Sequence, residues 1–350
     1  MPYSRIDRQQ SQSLLRPQSH KMVFWRKSEP TPPMTKKRRM KLLWSYSPDW
    51  AITIILAAIF FALNSVPGFK REFSLADTSL RHPYAVHERV PTTALYLIAI
   101  VAPFVLQACV NMITIQSWWD FHNATLGLIL GLAMTGAFTQ FTKITVGRPR
   151  PDIIDRCQPI PGSADPTYGL SSVAICTQTD QHILKDGWRS FFSGHSSLSF
   201  AGLGFLTFYL AGKLHLFDRR GHTAKAWIAL TPLAGASLVA ISRSMDYRHH
   251  WHDIVVGSAV GLLFSYFSYR QYYPSLGSPL SHRPYAPRIE SEEESGLPMH
   301  NDPHSNDPGD HSSADGVDDV ELGDGTVERR GLHHLEDGWR EDGPNQPTHS

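Results

Sequence analysis

The sequence predicts an all-α protein, a six-transmembrane helix bundle with disordered polar tails at both ends. Three observations predict it. Six stretches are apolar over roughly the 20 residues that a bilayer-crossing helix needs: residues 50–66, 92–110, 125–141, 198–216, 224–241 and 254–269. The chain ends are polar, with opposite charge. Residues 1–41 carry eleven Lys/Arg against two Asp/Glu, and residues 282–350 carry seventeen Asp/Glu against five Arg. Finally, Trp44, Trp50, Trp118, Trp119, Tyr272 and Tyr273 stand where an aromatic belt would lie. The slightly negative mean hydropathy averages an apolar middle with two polar ends.

Residues 1–48 read as a basic cytosolic tail. Lys36-Lys37-Arg38-Arg39 precedes a long apolar run, which favours a positive-inside membrane anchor over a nucleic-acid patch. The first apolar run starts only near Trp50, so no amino-terminal signal peptide is expected. Residues 49–273 form the membrane domain, because backbone groups in lipid must be satisfied within helices. Cys109 sits in an apolar run and reads as a small core residue. With the amino terminus in the cytosol, the loop 118–123 and the loop with Arg219, Arg220 and Lys225 are cytosolic. Asn123-Ala124-Thr125 is then a glycosylation sequon on the wrong side and is expected unmodified. The outer side, lumenal or extracellular, receives residues 67–91, 143–197 and 242–253. Residues 274–350 read as an acidic, disordered cytosolic tail, with Ser291 and Ser295 inside its acidic cluster.

The outer segments carry positive charge that the topology does not explain: Lys143, Arg148, Arg150, Arg243 and Arg248. Chemistry supplies a reason. Lys143, Arg150 and Arg243 would converge on one face and repel one another without an anion, which a phosphate supplies. Ser193-Gly194-His195 opens the fourth apolar run; a helix amino terminus favours anions, Gly194 permits close backbone approach and Ser193 offers a hydroxyl. An ordinary Ser cap explains the first two residues but not the histidine. His249 and Asp253, four apart, share a helix face. The carboxylate can hold one ring nitrogen protonated and free the other to attack phosphorus, while His195 protonates the leaving oxygen. The spacing from Arg243 and to Asp253 singles out His249 over His250 and His252. No metal set competes: His249 and His250 are adjacent, and no second carboxylate cluster or Cys pair accompanies them. A G-x-S-x-G elbow and a P-loop are both missing.

These three patterns together resemble the type 2 phosphatidic acid phosphatase superfamily, which also includes vanadium haloperoxidases and glucose-6-phosphatase. The likeness spans roughly residues 50–273. Gly147-Arg148-Pro149-Arg150-Pro151-Asp152, then Asp155-Arg156-Cys157, then Asp186-Gly187-Trp188-Arg189-Ser190-Phe191-Phe192-Ser193-Gly194-His195-Ser196-Ser197 look most like fungal diacylglycerol pyrophosphate phosphatases. The resemblance implies a magnesium-independent phosphatase of diacylglycerol pyrophosphate, phosphatidate and lysophosphatidate. It makes His249 the nucleophile, Asp253 its orienting partner and His195 the acid. Lys143, Arg150, Ser193, Gly194 and Arg243 become the phosphoryl-binding set. It calls for no cofactor and for a phospholipid of the bilayer as partner. One departure is Phe192, where the family usually has Pro; it removes no reactive group. Alternatives are a phosphatase of sphingoid or isoprenoid phosphates, and a non-catalytic membrane scaffold. Cys157 and Cys176 share one outer loop and are a candidate disulfide.

Overall fold

The computed structural model describes residues 36–218 and 221–289. Among them every regular element is helical, and isolated β-bridges join Phe73 with Ser171 and Pro159 with Cys176. Arg219, Arg220, Ser291 and Ser295, together with most of both predicted tails, lie outside the described residues.

Helix α1 (Lys36–Ser65) starts well before the apolar run at Trp50. The basic segment is rich in Lys, Arg, Met and Leu, which are good helix formers. Pro48 lies inside α1 and has no N–H for the carbonyl of Trp44. The Ser47 hydroxyl donates to that carbonyl instead, at 2.9 Å. The next span joins α2 (Thr92–Tyr96) to α3 (Ala102–Ile113) through a π turn, Leu97–Val101. Pro103 cannot bond the Ala99 carbonyl, and the ladder shifts so that the Ala102 N–H reaches Leu97. The Ala99 carbonyl then lies against Gly202, where an added Cβ would come within 1.8 Å of it. Helix α4 (Trp118–Val146) ends on Gly147 in the left-handed region, at φ 56°, and a Cβ there would meet the Phe69 carbonyl at 2.1 Å. Two short helices follow, α5 (Ile153–Cys157) and α6 (Gln181–Gly187). Then come α7 (Gly194–Lys213), α8 (Thr223–Met245) and α9 (Trp251–Tyr272).

Helix α7 is the axis of the bundle, packed against α9, α8, α4 and the α2–α3 span. Its seam with α9 is built from Ser193, Ser197 and Ala201 against Gly257 and Gly261, so the two backbones approach closely. The outer helices expose large apolar side chains such as Ile54, Phe61, Leu97 and Leu238, an arrangement suited to lipid. Four helices, Lys36–Ser65, Thr92–Ile113, Trp118–Val146 and Thr223–Met245, are long and apolar enough to cross a membrane by length and composition. The predicted runs 198–216 and 254–269 fall on α7 and α9. In these two, Ser and Gly line the contacts with neighbouring helices.

Two expectations need correction. Of the predicted aromatic belt, Trp44 and Trp118 are exposed, but Tyr272 and Tyr273 are core residues. The Tyr273 hydroxyl donates to Asp120 at 2.9 Å, which holds the ring inside. Past Tyr273 the chain also stays packed through the end of the described region: Tyr285 N–H reaches the Tyr272 carbonyl at 3.0 Å, and Arg288 pairs with Asp49 at 2.8 Å. Asn123 of the sequon lies buried in α4, its amide donating to the Trp119 carbonyl at 2.8 Å.

At the opposite end of the bundle the three predicted outer segments knit together. Phe69 N–H bonds the Ile144 carbonyl at 2.8 Å, and His82 N–H the Pro151 carbonyl at 3.1 Å. Arg89 N–H bonds Asp246 at 2.9 Å, and Ser193 N–H the Asp253 carbonyl at 3.0 Å. Phe73, Leu80, Ile153, Cys157, Leu184 and Trp188 form a small core of their own beneath these loops. Cys157 and Cys176 are joined there in a disulfide, with Cα atoms 4.6 Å apart.

Candidate active site

His249 sits in the tight turn between α8 and α9, almost fully buried. Its Nδ1 lies 2.7 Å from the Ser190 carbonyl. A carbonyl only accepts, so Nδ1 carries the proton and Nε2 keeps its lone pair. The sequence led to Asp253 as the group holding this ring. The structure places Asp253 Oδ2 at 4.0 Å from Nδ1, one residue removed from direct contact. Asp253 is fully buried and its oxygens are taken up by Arg148 Nη1 at 2.8 Å and the Ser190 hydroxyl at 2.5 Å. The His250 N–H adds a third bond at 3.2 Å. Ser190 therefore bridges the two: its hydroxyl is held by Asp253 and its carbonyl holds His249. The physical reason is helix geometry. Asp253 lies in the first turn of α9 and turns back to that helix's own start, while His249 precedes the helix.

His195, in the first turn of α7, has Nε2 at 3.0 Å from the Val90 carbonyl and 3.8 Å from Glu88 Oε2. Ser193 caps α7, its Oγ accepting from Ser196 N–H at 3.3 Å. This leaves the hydrogen-bond donors of the helix start facing outward from Gly194 onward. Lys143, in the last turn of α4, lies over Gly194: an added Cβ would stand 3.1 Å from Nζ. Gly194 thus leaves room for that ammonium.

The cations were expected to wait for an anion. Two of the three already have carboxylates. Arg150 donates to Asp186 Oδ1 at 2.8 Å, and Arg243 to Glu88 Oε2 at 2.6 Å and Asp246 Oδ2 at 3.0 Å. Arg248 reaches both Glu88 and Asp186. Even so, the Nε–H groups of Arg150 and Arg248 are buried with no acceptor among the described residues. Burial pushes the Arg150 guanidinium down to about 10, against the pull of Asp186. Burial would raise the Asp186 carboxyl, but Arg150, Arg156 and Arg248 hold it well below the usual carboxylate range. Burial, then Arg150, Lys143 and His195, push His249 well below the ordinary imidazole value, so its neutral form dominates.

All eight predicted residues thus gather at one end of the bundle. Ser190, Glu88, Asp186 and Asp246 were not anticipated. Ser190 and Asp186 lie inside the motif stretch 186–197, and Asp246 follows Arg243 by one helical turn, so both carried a readable signal. Glu88 carried none. Among the described residues no group of three or more His, Cys, Asp or Glu side chains is arranged to hold a metal ion.

Comparison with known proteins adds an independent line. The family described as the PAP2 superfamily matches residues 124–276. The probable diacylglycerol pyrophosphate phosphatase 1 of Schizosaccharomyces pombe is 39% identical over 241 residues, covering 68% of this chain and 85% of that protein. Lipid phosphate phosphatase 2 of Arabidopsis thaliana is 41% identical over 240 residues, 68% of this chain and 81% of that protein. Diacylglycerol pyrophosphate phosphatase 1 of Saccharomyces cerevisiae is 34% identical over 259 residues, 72% and 89% respectively. No solved structure matches.

Proposed function

The chain belongs to the PAP2 superfamily, and from that premise we propose that it is a multi-pass membrane phosphatase of lipid phosphates: diacylglycerol pyrophosphate, phosphatidate and lysophosphatidate. The observation that carries this reading is the state of His249: a buried, neutral imidazole, protonated on Nδ1 by virtue of Ser190, among Lys143, Arg150 and His195.

In the first step Nε2 of His249 attacks phosphorus, and the bond from phosphorus to the leaving oxygen breaks. His195, entering the step as the imidazolium, gives that oxygen a proton and becomes neutral. Its Nε2 faces the Val90 carbonyl, so Nδ1 is the atom that exchanges the proton. In the second step water attacks the phosphohistidine, His195 takes the water's proton, and phosphate leaves with His249 restored. Lys143, Arg150, Arg243, Ser193 and the Gly194 end of α7 hold the phosphoryl oxygens as charge builds on them. Imidazoles, cations and helix dipole carry every step.

On this reading the chain crosses six times, with α7 and α9 as the two shielded spans, so that both ends face the cytosol and the site faces the lumenal or extracellular side. The basic start of α1 and the exposed apolar flanks support that reading. A lipid headgroup reaches such a site sideways from the bilayer. The test is phosphate release from diacylglycerol pyrophosphate and phosphatidate in detergent micelles with excess EDTA, wild type against His249→Ala. Release by the wild type and loss in the variant are expected. Release that needs added metal, or an unchanged variant, would sink the mechanism; no release from any lipid phosphate would favour a scaffold.

A further inference from the structure

Glu88 lies between two bends in the segment that enters α2. Its two carboxylate oxygens go to different guanidiniums: Oε2 to Arg243 Nη1 at 2.6 Å and Oε1 to Arg248 Nη2. Those arginine side chains are only 1% and 6% exposed, while Glu88 is 22% exposed. Glu88 therefore covers two buried cations from the open side. Its Oε2 is also 3.8 Å from His195 Nε2. Two oxygens bridging two guanidiniums beside a histidine is the arrangement that phosphoryl oxygens adopt.

The other carboxylates at this end are held differently. Asp186 is gripped by Arg150, Arg156 and Arg248, and it sits on α6 in the disulfide-tied loop region. Asp246 caps α8 and is fixed by the Arg89 backbone and side chain as well as by Arg243. Asp246 is buried among its partners, and Asp186, though 32% exposed, is held by three guanidiniums at once. Glu88 can leave by turning its own side chain toward solvent, with no helix moving.

We propose that Glu88 is a built-in substitute anion: in the unliganded protein it occupies the phosphoryl-oxygen positions on Arg243 and Arg248, and a phosphoryl group displaces it. This rests on the phosphatase reading above and extends it. Two consequences follow. Arg243 and Arg248 each keep a second carboxylate, Asp246 and Asp186, and Glu88 holds the donors that these leave free while the site is empty. The binding-competent state is only fractionally populated, which weakens apparent affinity for substrate and for product phosphate alike by that fraction. When phosphate leaves, Glu88 closes on the arginines and opposes its return.

The experiment is the dissociation constant of inorganic phosphate, measured by equilibrium dialysis on the detergent-solubilised full chain, for wild type, Glu88→Gln and Asp246→Asn. Glu88→Gln is expected to bind phosphate about tenfold more tightly, because the competing charge is gone. Asp246→Asn is expected to bind it no better, because a fixed partner of Arg243 has been lost. Unchanged or weaker binding in a folded Glu88→Gln protein overturns the proposal. Equal tightening in both variants also overturns it, since that reports net charge rather than displacement. If Glu88→Gln fails to fold, Glu88→Asp keeps the charge but shortens its reach, and tightening is again expected; its absence refutes the displacement. Hydrolysis of phosphatidate by the wild type, assayed in parallel, tests the phosphatase reading separately from this binding comparison.

Discussion

At the end of the bundle that holds Asp120, a fully buried carboxylate is met by Lys213 at 2.6 Å, Asn111 at 2.7 Å, the Tyr209 hydroxyl at 2.8 Å and the Tyr273 hydroxyl at 2.9 Å. At the end that holds His249, more charges are buried, yet the network stays open: Arg150 and Arg248 keep Nε–H groups without an acceptor, and His249 keeps a bare Nε2. Both clusters sit on the same helices, α4 and α7 each contributing to both ends. Charge burial alone therefore does not distinguish a structural network from a reactive one. Saturation does. A carboxylate with four donors has nothing left to offer a ligand, whereas unfilled donors around a neutral imidazole describe a place for an anion.

That contrast breaks most sharply on paired substitutions. His249→Ala is expected to reduce phosphate release by roughly a thousandfold or more, since it removes the attacking atom, with little change in melting midpoint. Asp120→Asn is expected to do the reverse, destabilising by about 3–5 kcal/mol because Lys213 loses its buried counter-charge. The protein that stays folded should turn over normally. Thermal unfolding followed by size exclusion, alongside specific activity, reads both; a His249→Ala protein that unfolds like Asp120→Asn would erase the distinction. Next in size is the disulfide. Replacing Cys157 and Cys176 by Ser releases a crosslink spanning 19 residues, expected to lower stability by about 3 kcal/mol. Turnover should fall less, because Asp186 keeps its three arginine partners.

Much of the site was legible in the sequence, for a physical reason. Its residues stand at helix ends, where spacing fixes position: Lys143 in the last turn of α4, Ser193 and Gly194 at the start of α7, His249 and Asp253 around the start of α9. Contacts that depend on how loops fold over one another were not legible. Spacing placed Asp253 on the face of His249, but could not show that the Ser190 carbonyl, from a distant loop, takes the ring nitrogen. Nor could it show Glu88 on Arg243, a contact between residues 155 apart in the chain. The helices were read well where they face lipid. The start of α1 was missed because its polar first turns are good helix formers without being apolar. Tyr272 and Tyr273 were misplaced because an aromatic at a helix end serves a belt or a core equally well on sequence alone.

The Ser190 bridge gives a smaller test. Ser190→Ala keeps the carbonyl on His249 but loses the hydroxyl bond to Asp253. One such buried bond corresponds to about 1–3 kcal/mol, so kcat is expected to fall about tenfold with KM unchanged. An equal fall after removing a hydroxyl remote from His249 would show that the bridge has no special part.

The finest test is the pH profile, because it measures the field inside the open cluster. Attack requires neutral His249, and burial together with Arg150, Lys143 and His195 lowers its proton affinity. The acid limb that His249 sets on kcat/KM should therefore lie below the ordinary imidazole value of about 6.5. The same shift bears on stability. The unfolded chain binds this proton near pH 6.5 and the folded chain does not, so the contribution is present above that pH and is lost as pH falls below it. Substrate phosphate also titrates near pH 6, and a single profile would mix the two. Arg150→Gln separates them. It removes the cation that depresses His249 most, without altering free substrate, so a limb belonging to His249 moves to higher pH and a limb belonging to the substrate stays in place. A stationary limb would mean that the cationic cluster does not tune the nucleophile, and that its buried arginines act on the phosphoryl group alone.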